Sequence, residues 1–230
     1  MKKYFISGID TDAGKSYVTA GLAKFLYDAG KSVSTFKLVQ TGCPDGNSID
    51  IELHRRLAGM PFSTFDCAGK TFPAVFSYPA SPHLAAELDH RELDFAAIES
   101  ALAEVDAAFE YVLIEGAGGL FVPLTRELLT IDYAAKQKWP LILVTNGVLG
   151  SINHTLLSLE AAARRGMTIA AVVYNCMPGL DELIAEDARS FMQDFVQRHY
   201  PETLWIEQPL HTKGKAFPLP NAGKLFGVEA

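Results

Sequence analysis

The chain has 230 residues, of which 49% are hydrophobic and 20% are charged. This composition is typical of a globular protein with a sizeable core. The net charge is -7 at pH 7 and no run of Lys or Arg stands out, which argues against a nucleic-acid-binding face and against a polybasic membrane patch.

The cysteines and the apolar segments indicate the compartment. Cys43, Cys67 and Cys176 lie far apart and form no C-x-x-C pair, which favours reduced thiols over a disulfide framework. The first apolar run is too short for a signal peptide, and no segment reaches the roughly 20 apolar residues of a membrane span. We therefore expect a cytoplasmic protein that contacts neither membrane nor nucleic acid.

Short apolar runs alternate with longer amphipathic segments along the chain. Strands are predicted, in chain order, at residues 4–7, 33–38, 111–114, 141–145, 169–174 and 204–206. Helices are predicted at residues 16–28, 50–58, 82–88, 95–107, 152–165 and 180–199. Residues 59–80 contain Gly, Pro and aromatic residues without a clear period, so we interpret them as a loop or lid.

The order of these elements predicts the fold class. The runs at 111–114, 141–145 and 169–174 are apolar without alternation, as in strands that are covered on both faces. The sequence thus predicts one domain over residues 1–230, of class α/β, with three layers and a mostly parallel central sheet flanked by helices. In such sheets ligands bind at the carboxyl ends of the strands, so functional residues should follow strands.

A phosphate loop follows the first strand, in Gly8-Ile9-Asp10-Thr11-Asp12-Ala13-Gly14-Lys15-Ser16. A strand, a tight loop and Gly-Lys-Ser at a helix start are typical of phosphate-loop NTPases. Gly14 lets the backbone approach phosphate, Lys15 would reach the β- and γ-phosphates, and Ser16 would bind Mg²⁺. Gly8 lies one residue too early for the strict motif, and Ile9 occupies the expected glycine position. A chance Gly-Lys-Ser is the alternative.

An acidic residue and a glycine run follow the third strand, in Glu115-Gly116-Ala117-Gly118-Gly119. A carboxylate at this place is expected to bind magnesium in phosphate-loop enzymes, and the glycines let the backbone approach a ligand closely. A plain strand-to-loop turn would need only one glycine and no acid.

Two further charged residues leave alternatives open. Lys37 ends the second strand, where it either reaches solvent at the surface or faces the transferred phosphate beside Lys15. Asp50 follows Asn47-Ser48 and is either a metal ligand or an ordinary acid in the first turn of a helix.

Two helix starts carry polar residues. Gly150-Ser151-Ile152-Asn153 follows the fourth strand and forms either a second anion-binding N-terminus, suited to a carboxylate, or an ordinary serine cap. His83, in Ser81-Pro82-His83, is a weak catalytic candidate because polar residues are common at helix starts.

Taken together and in order, these motifs resemble the dethiobiotin synthetase family from residue 4 to about residue 176. The displaced first glycine is itself a feature of that family. The resemblance implies a ligase that carboxylates 7,8-diaminopelargonate with CO₂, phosphorylates the carbamate with ATP and closes a cyclic urea. It also implies ATP and Mg²⁺ as cofactors and a homodimer.

The resemblance also implies roles for individual residues. Lys15 and Lys37 would be catalytic, and Ser16, Asp50 and Glu115 would bind the metal ion. The substrate would contact Thr11 and Thr41, and its carboxylate tail would contact Gly150, Ser151 and Asn153 of the partner subunit. The implied nucleotide-binding residues are Asp12, Ala13, Gly14, Lys15, Ser16, Tyr17, Asp50, Glu115, Gly116, Ala117, Gly118, Asn175, Cys176, Pro209, Leu210 and His211. Among them, Asn175 would read the base.

Some positions depart from the family pattern. Ser16 and Thr41 replace the usual Thr and Ser, and both exchanges keep a hydroxyl group. The segment around residues 209–211 aligns poorly, which leaves the preference for ATP over other triphosphates open, and the placement of Asp50 allows a slip of one residue.

Two other functions are alternatives to this one. A nucleotide-switch ATPase of the partitioning or septum-positioning type carries a signature lysine about four residues before Gly14, where this chain has Asp10-Thr11-Asp12. A cobyrinate-type amide ligase needs a glutamine-hydrolysing domain with a nucleophilic cysteine, for which too few residues follow position 200.

Overall fold

The computed structural model describes residues 2–211, 219 and 221–228 and contains a six-stranded sheet with the order β2-β3-β1-β4-β5-β6. The strands are β1 (Lys2–Gly8), β2 (Val33–Lys37), β3 (Tyr111–Gly119), β4 (Leu141–Thr145), β5 (Ile169–Asn175) and β6 (Leu204–Gln208). All neighbouring strands pair in parallel, so the predicted α/β class is confirmed. That residues 1–230 form a single domain stays a prediction.

Helices connect the strands. They are α1 (Lys15–Asp28), α2 (Ile49–Ala58), α3 (Thr64–Cys67), α4 (Pro82–Leu88), α5 (Phe95–Ala108), α6 (Thr130–Lys136), α7 (Ser151–Arg164), α8 (Glu182–His199) and α9 (Ala222–Phe226), with a 3-10 turn at Thr11–Ala13. The sequence pattern predicted α1, α2, α4, α5, α7 and α8 to within two residues at each end. It missed α6, which begins after Leu129 without a side-chain cap, so the usual start signal is absent.

The two faces of the sheet carry separate hydrophobic cores. Successive side chains of a strand point to opposite faces, so Phe5 lies in one core and Ile6 in the other. The Phe5 core contains α5 and α7 residues, and the Ile6 core contains Val18 and Leu22 of α1 together with Phe226 of α9. Two cores on one sheet produce the three layers. No helix among the described residues is long and apolar enough to cross a membrane.

Strand register brings the carboxyl ends of three strands together. β1 lies between β3 and β4, and β3 lies between β1 and β2. Lys37 at the end of β2 is in register with Glu115 of β3, which is also in register with Ile6 of β1. Two residues that are 78 positions apart in the chain therefore become direct neighbours at the edge where α/β sheets bind ligands.

Residues 59–80, predicted as a loop or lid, contain the short helix α3 and are held by a buried ion pair. Arg55 of α2 donates two hydrogen bonds to Asp66, at 2.9 Å from Nε and 2.8 Å from Nη2. Asp66 also accepts from the Ser63 backbone at 2.7 Å and from the Thr71 hydroxyl at 2.7 Å. The carboxylate thus fastens this segment to α2.

The Arg55–Asp66 pair predicts a pH-dependent contribution to stability. Burial raises the pKa of Asp66, but the charge and bonds of Arg55, together with the bonds from Ser63 and Thr71, outweigh burial, so the pKa lies below its ordinary value. A lowered carboxyl pKa stabilises the fold above the unfolded pKa of about 3.9, and this contribution is lost as the pH falls further. Asp66→Asn should lower the free energy of unfolding by about 3 kcal/mol at pH 7, and the difference from wild type should shrink at about pH 3.

Urea unfolding at both pH values measures this difference. Glu104→Gln is the matched control, because Glu104 forms an exposed ion pair with Lys70 at 2.8 Å. That control should change stability by less than about 1 kcal/mol. An Asp66→Asn loss no larger than that of the control would contradict the importance of the buried pair.

Candidate active site

A cleft of about 660 Å³ opens at the carboxyl ends of β1, β2, β3 and β5. Most of the predicted site residues line it. They are Thr11, Asp12, Gly14, Lys15, Ser16, Tyr17, Lys37, Thr41, Asp50, Glu115, Ala117, Gly118, Asn175, Cys176, Leu210 and His211. These residues therefore lie together at the edge where parallel sheets bind ligands. Glu115 to Gly119, predicted to follow the third strand, instead belong to β3 itself, because the strand continues to Gly119.

Gly14 and Gly8 shape the phosphate loop. Gly14 has φ +88°, and a Cβ atom there would lie 2.0 Å from the Asn175 amide nitrogen. A Cβ atom at Gly8 would lie 2.6 Å from the Asp10 carbonyl oxygen and 3.0 Å from the Ala13 Cβ atom. The loop folds back over position 8 rather than position 9, so the displaced glycine has a steric cause and is not a defect of the motif.

Lys15 lies beneath this loop at the floor of the cleft. Its ammonium donates to the carbonyl oxygens of Asp10 and Thr11, at 3.1 Å each, and the side chain is nearly fully buried. Burial lowers the pKa of Lys15 to about 8, although the nearby Glu115 carboxylate acts in the opposite direction. The loop carbonyls therefore orient a cation where a phosphate would lie.

Glu115 is fully buried and accepts four hydrogen bonds. One oxygen, Oε1, accepts from Ser16 Oγ at 2.9 Å and from Lys37 Nζ at 2.8 Å. The other, Oε2, accepts from Thr19 Oγ1 at 2.7 Å and is bonded to His54 Nε2 at 2.9 Å. Burial raises the pKa of Glu115, but the Lys37 charge and the hydrogen bonds from Lys37 and His54 together outweigh burial, so the pKa lies well below its usual range. The group is a carboxylate.

Lys37 is buried, so the alternative of a surface lysine is wrong. Its ammonium lies 2.6 Å from Asp50 Oδ2 and 2.8 Å from Glu115 Oε1, and it also donates to the Gly116 carbonyl at 3.1 Å. Burial lowers the pKa of Lys37, but the two carboxylates outweigh it, so the pKa lies above its ordinary value. Lys37 is therefore a fixed positive charge and not a proton acceptor.

Asp50 is both an acid in the first turn of α2 and a residue of the cleft. Ser48 is the N-cap of this helix and accepts from the Ile51 backbone at 3.2 Å, so Asp50 is free of a capping role. Its carboxylate contacts Lys37 and lies 3.2 Å from Ser16 Oγ. Asp50, and not an acid one position away, therefore faces the cleft.

Three side chains that could bind a metal ion through oxygen meet beside Lys37, namely Ser16, Asp50 and Glu115. In the part of the chain that the structure describes, no group of three or more His, Cys, Asp or Glu residues could hold a metal ion. Magnesium needs no such group, because it is usually bound through one or two carboxylates, several waters and substrate phosphates. The two carboxylates and one hydroxyl therefore fit Mg²⁺.

Sequence reasoning missed two residues that contact Glu115, namely Thr19 and His54. Each lies within four positions of a predicted site residue on the same helix, Thr19 after Lys15 and Ser16, and His54 after Asp50. Residues three or four apart share a helix face, so this spacing was the available signal. The spacing alone does not show that these faces of α1 and α2 contact Glu115 of β3, because that contact depends on tertiary packing.

Most of the predicted base-binding residues line the same cleft. Asn175 and Cys176 line it together with Leu210 and His211, and the rings of Tyr17 and His211 are 6.0 Å apart. The Asn175 amide donates to the carbonyl oxygen of Ala13 at 3.2 Å. Pro209 is exposed and does not line the cleft. Ala13 and Gly116 do not line it either. Roles of these residues in base recognition stay predictions.

The Gly150 turn lies outside this cleft. Gly150 and Ser151 line a separate groove of about 460 Å³ between α7 and α8, and Asn153 is exposed. The alternative of an ordinary serine cap is wrong, because the N-cap of α7 is Gly150 and no side chain caps the helix. The Ser151 hydroxyl is buried and has no hydrogen-bond partner among the described residues. His83 also lies outside the cleft lining, and its Nδ1 is 3.0 Å from the Ser81 hydroxyl.

Solved structures with a similar fold include the signal recognition particle receptor FtsY from Elizabethkingia anophelis. It matches 98% of this chain with a TM-score of 0.52 and 14% identity, and the chain spans about 64% of that structure's length. The cell division protein FtsY from Thermotoga maritima matches 97% of this chain and 66% of its own, with a TM-score of 0.50 and 15% identity. These likenesses show a shared fold and nothing further.

Curated relatives are much more similar. The sequence model of a family described as an AAA domain matches residues 2–203. ATP-dependent dethiobiotin synthetase BioD 2 from Pasteurella multocida is 44% identical over 89% of this chain and 95% of its own. The Haemophilus influenzae protein of the same name is 49% identical over 80% of this chain and 96% of its own. The chain belongs to the ATP-dependent dethiobiotin synthetase family.

Proposed function

We propose that this protein is an ATP-dependent ligase that forms the cyclic urea of dethiobiotin from 7,8-diaminopelargonate and CO₂. One observation carries the proposal: two lysine ammonium groups, two carboxylates and a hydroxyl meet at the floor of a cleft beneath a phosphate loop. The printed names of the curated relatives, which are dethiobiotin synthetases, support the same reaction.

The reaction needs stabilised negative charge at each step. One amine of the substrate adds to CO₂ and loses a proton, which gives a carbamate. A carbamate oxygen attacks the γ-phosphorus of ATP and ADP leaves. The second amine then attacks the carbonyl carbon, loses a proton and expels phosphate. A charge that is held in place before the reaction stabilises such anions without reorganisation. Lys15 and Lys37 are held in this way, Lys15 by loop carbonyls and Lys37 by two carboxylates.

The remaining roles follow from position in the cleft. Ser16, Asp50 and Glu115 would hold Mg²⁺, which when bound neutralises charge on the β- and γ-phosphates. Thr11 and Thr41 line the same cleft and present hydroxyl groups to the diamine or its carbamate. The thiols of Cys43, Cys67 and Cys176 are unpaired, which supports a location in the reducing cytoplasm.

The groove beside the Gly150 turn supports a homodimer. Leu149 and Leu183 are each 81% exposed there, and Val148 and Ile184 are exposed as well. Contiguous exposed apolar residues mark interaction surfaces. A second copy of the chain that covers this groove would bring the α7 N-terminus, with the unpartnered Ser151 hydroxyl, towards the substrate in the other subunit. The N-terminus of a helix favours a carboxylate tail.

The direct test of the reaction is phosphate release from ATP. Release should require both diaminopelargonate and bicarbonate, and omission of either should reduce it to background. Turnover that is independent of the diamine and is stimulated by DNA or lipid would instead identify a nucleotide-switch ATPase. Turnover that requires glutamine or ammonia would identify an amide ligase.

Removal of the Lys37 charge should slow the reaction strongly. Lys37→Gln should lower kcat by about two to four orders of magnitude, because one preorganised charge-stabilising group is lost. The matched control is Lys24→Gln, since Lys24 is a lysine of α1 whose partner Asp28 is at the surface. Unchanged turnover in Lys37→Gln, with a folded protein verified by circular dichroism, would rule out the proposed role.

A charge on the exposed groove should separate the subunits. Leu183→Asp should shift the mass measured by sedimentation equilibrium towards the monomer and raise KM for the diamine by about tenfold or more, equivalent to at least 1.4 kcal/mol. Affinity for the nucleotide should change little, because the nucleotide cleft lies within one chain. Leu88→Asp, at an exposed leucine on α4, is the control. Equal behaviour of the two variants would contradict an interface at this groove.

A further inference from the structure

His54 is a fully buried histidine beside the site, and the proposed chemistry does not use it. Both of its ring nitrogens are bonded to side chains. Nε2 lies 2.9 Å from Glu115 Oε2, and Nδ1 lies 3.1 Å from the Thr35 hydroxyl oxygen. A ring that is fixed at both nitrogens and shielded from water has a single orientation.

The two oxygens of Glu115 have different surroundings. Oε1 is bonded to Ser16 and Lys37, which both line the cleft. Oε2 is bonded to Thr19 and His54, and neither of these lines the cleft. Donors behind the carboxylate thus hold Oε2 and thereby fix the direction in which Oε1 points.

The hydrogen positions on His54 follow from its neighbours. Glu115 accepts from the Lys37 ammonium and from the Thr19 hydroxyl, and a carboxylate has no hydrogen to give, so the ring donates from Nε2. Arg55 Nη1 donates to the Thr35 hydroxyl oxygen at 2.9 Å. The Thr35 hydroxyl hydrogen then has Nδ1 as its acceptor, with no other acceptor recorded for it in the described residues. A ring with its hydrogen on Nε2 satisfies every group in this chain of bonds.

The geometry points to His54 as a positioning residue that orients the Glu115 carboxylate towards magnesium and the nucleotide. This inference rests on the proposed function of Glu115 as a metal-binding residue. Groups behind a metal-binding side chain orient it, and their loss typically lowers metal affinity or activity by about 10- to 100-fold. His54 would act through Glu115 and would touch neither substrate nor phosphate.

The support extends behind the ring to residues 59–80. Thr35 is held by Arg55, and Arg55 is held by Asp66 through two hydrogen bonds. The ring orientation therefore depends on a buried ion pair that belongs to the segment after α2. Packing alone does not require this chain of bonds, since an apolar side chain would fill the same space.

Two amide substitutions separate positioning from packing. In His54→Gln the amide nitrogen can reach the place of Nε2 and donate to Glu115. In His54→Asn the amide is one carbon shorter and reaches only towards Thr35. Both variants are polar and uncharged, so they differ in whether Glu115 keeps its donor.

The readout is the magnesium dependence of nucleotide binding by the full-length protein. The dissociation constant of the nonhydrolysable analogue β,γ-imido-ATP is measured by calorimetry with and without Mg²⁺. We expect the improvement that Mg²⁺ brings to fall by about tenfold in His54→Asn and to stay near the wild-type value in His54→Gln. Affinity without Mg²⁺ should stay within about twofold in both variants, and kcat should follow the same order.

Several outcomes would overturn the inference. Equal magnesium dependence in the two variants, whether retained or lost, would show that the donor to Glu115 is unimportant. An equal loss of affinity with and without Mg²⁺ would show a structural role only. If His54→Asn does not fold, Thr35→Ser and Thr35→Val replace it as the test, because the Thr35 hydroxyl holds the His54 ring at Nδ1. Only the Ser variant keeps that hydroxyl. Equal magnesium dependence in that pair would also count against positioning.

The proposed function is tested separately in the same preparation. If the wild-type protein shows no phosphate release that depends on the diamine, the proposed reaction is wrong, whatever the variants do. If that release is present and the two variants do not differ, only the role of His54 is wrong.

Discussion

The buried carboxylate of Glu115 is the group on which the arrangement of the site depends. Burial of an ionised carboxylate is strongly unfavourable unless hydrogen bonds and an opposite charge compensate for it. Four donors surround this one, and one of them is the Lys37 ammonium, which is itself buried and is balanced by Asp50. Each of these groups needs the others, so the fold must bring α1, α2, β2 and β3 to one place.

This constraint explains several features of the surrounding fold. The register of β2 on β3 places Lys37 beside Glu115, and the N-cap at Ser48 starts α2 where Asp50 and His54 both face the site. Lys15 and Lys37 are held by different partners, and their pKa values are shifted in opposite directions, below the ordinary value for Lys15 and above it for Lys37. Each ammonium is nevertheless fixed by groups of the protein itself. A preorganised site of this kind is what stabilisation of a transferring phosphoryl group requires.

Much of the fold could be predicted from the sequence, because unbroken apolar runs and glycine-terminated helices have local causes. The phosphate loop was predicted too, although only the structure explains Gly8, through its contact with the Asp10 carbonyl. Periodicity alone could not decide whether Lys37 faces water or carboxylates, since that depends on strand pairing. His54 was missed for the same reason: its bond to Glu115 joins residues 61 positions apart.

In the proposed site, Ser16, Asp50 and Glu115 form one metal-binding position beneath the phosphate loop. A crystal structure with Mn²⁺ and β,γ-imido-ATP, with the metal located by anomalous scattering, tests it most directly. We expect a single strong peak in contact with Ser16 Oγ, beside Glu115 Oε1 and Asp50, with Glu115 Oε2 still bonded to Thr19 and His54. A metal peak away from Ser16, or a Glu115 side chain rotated off His54, would contradict it.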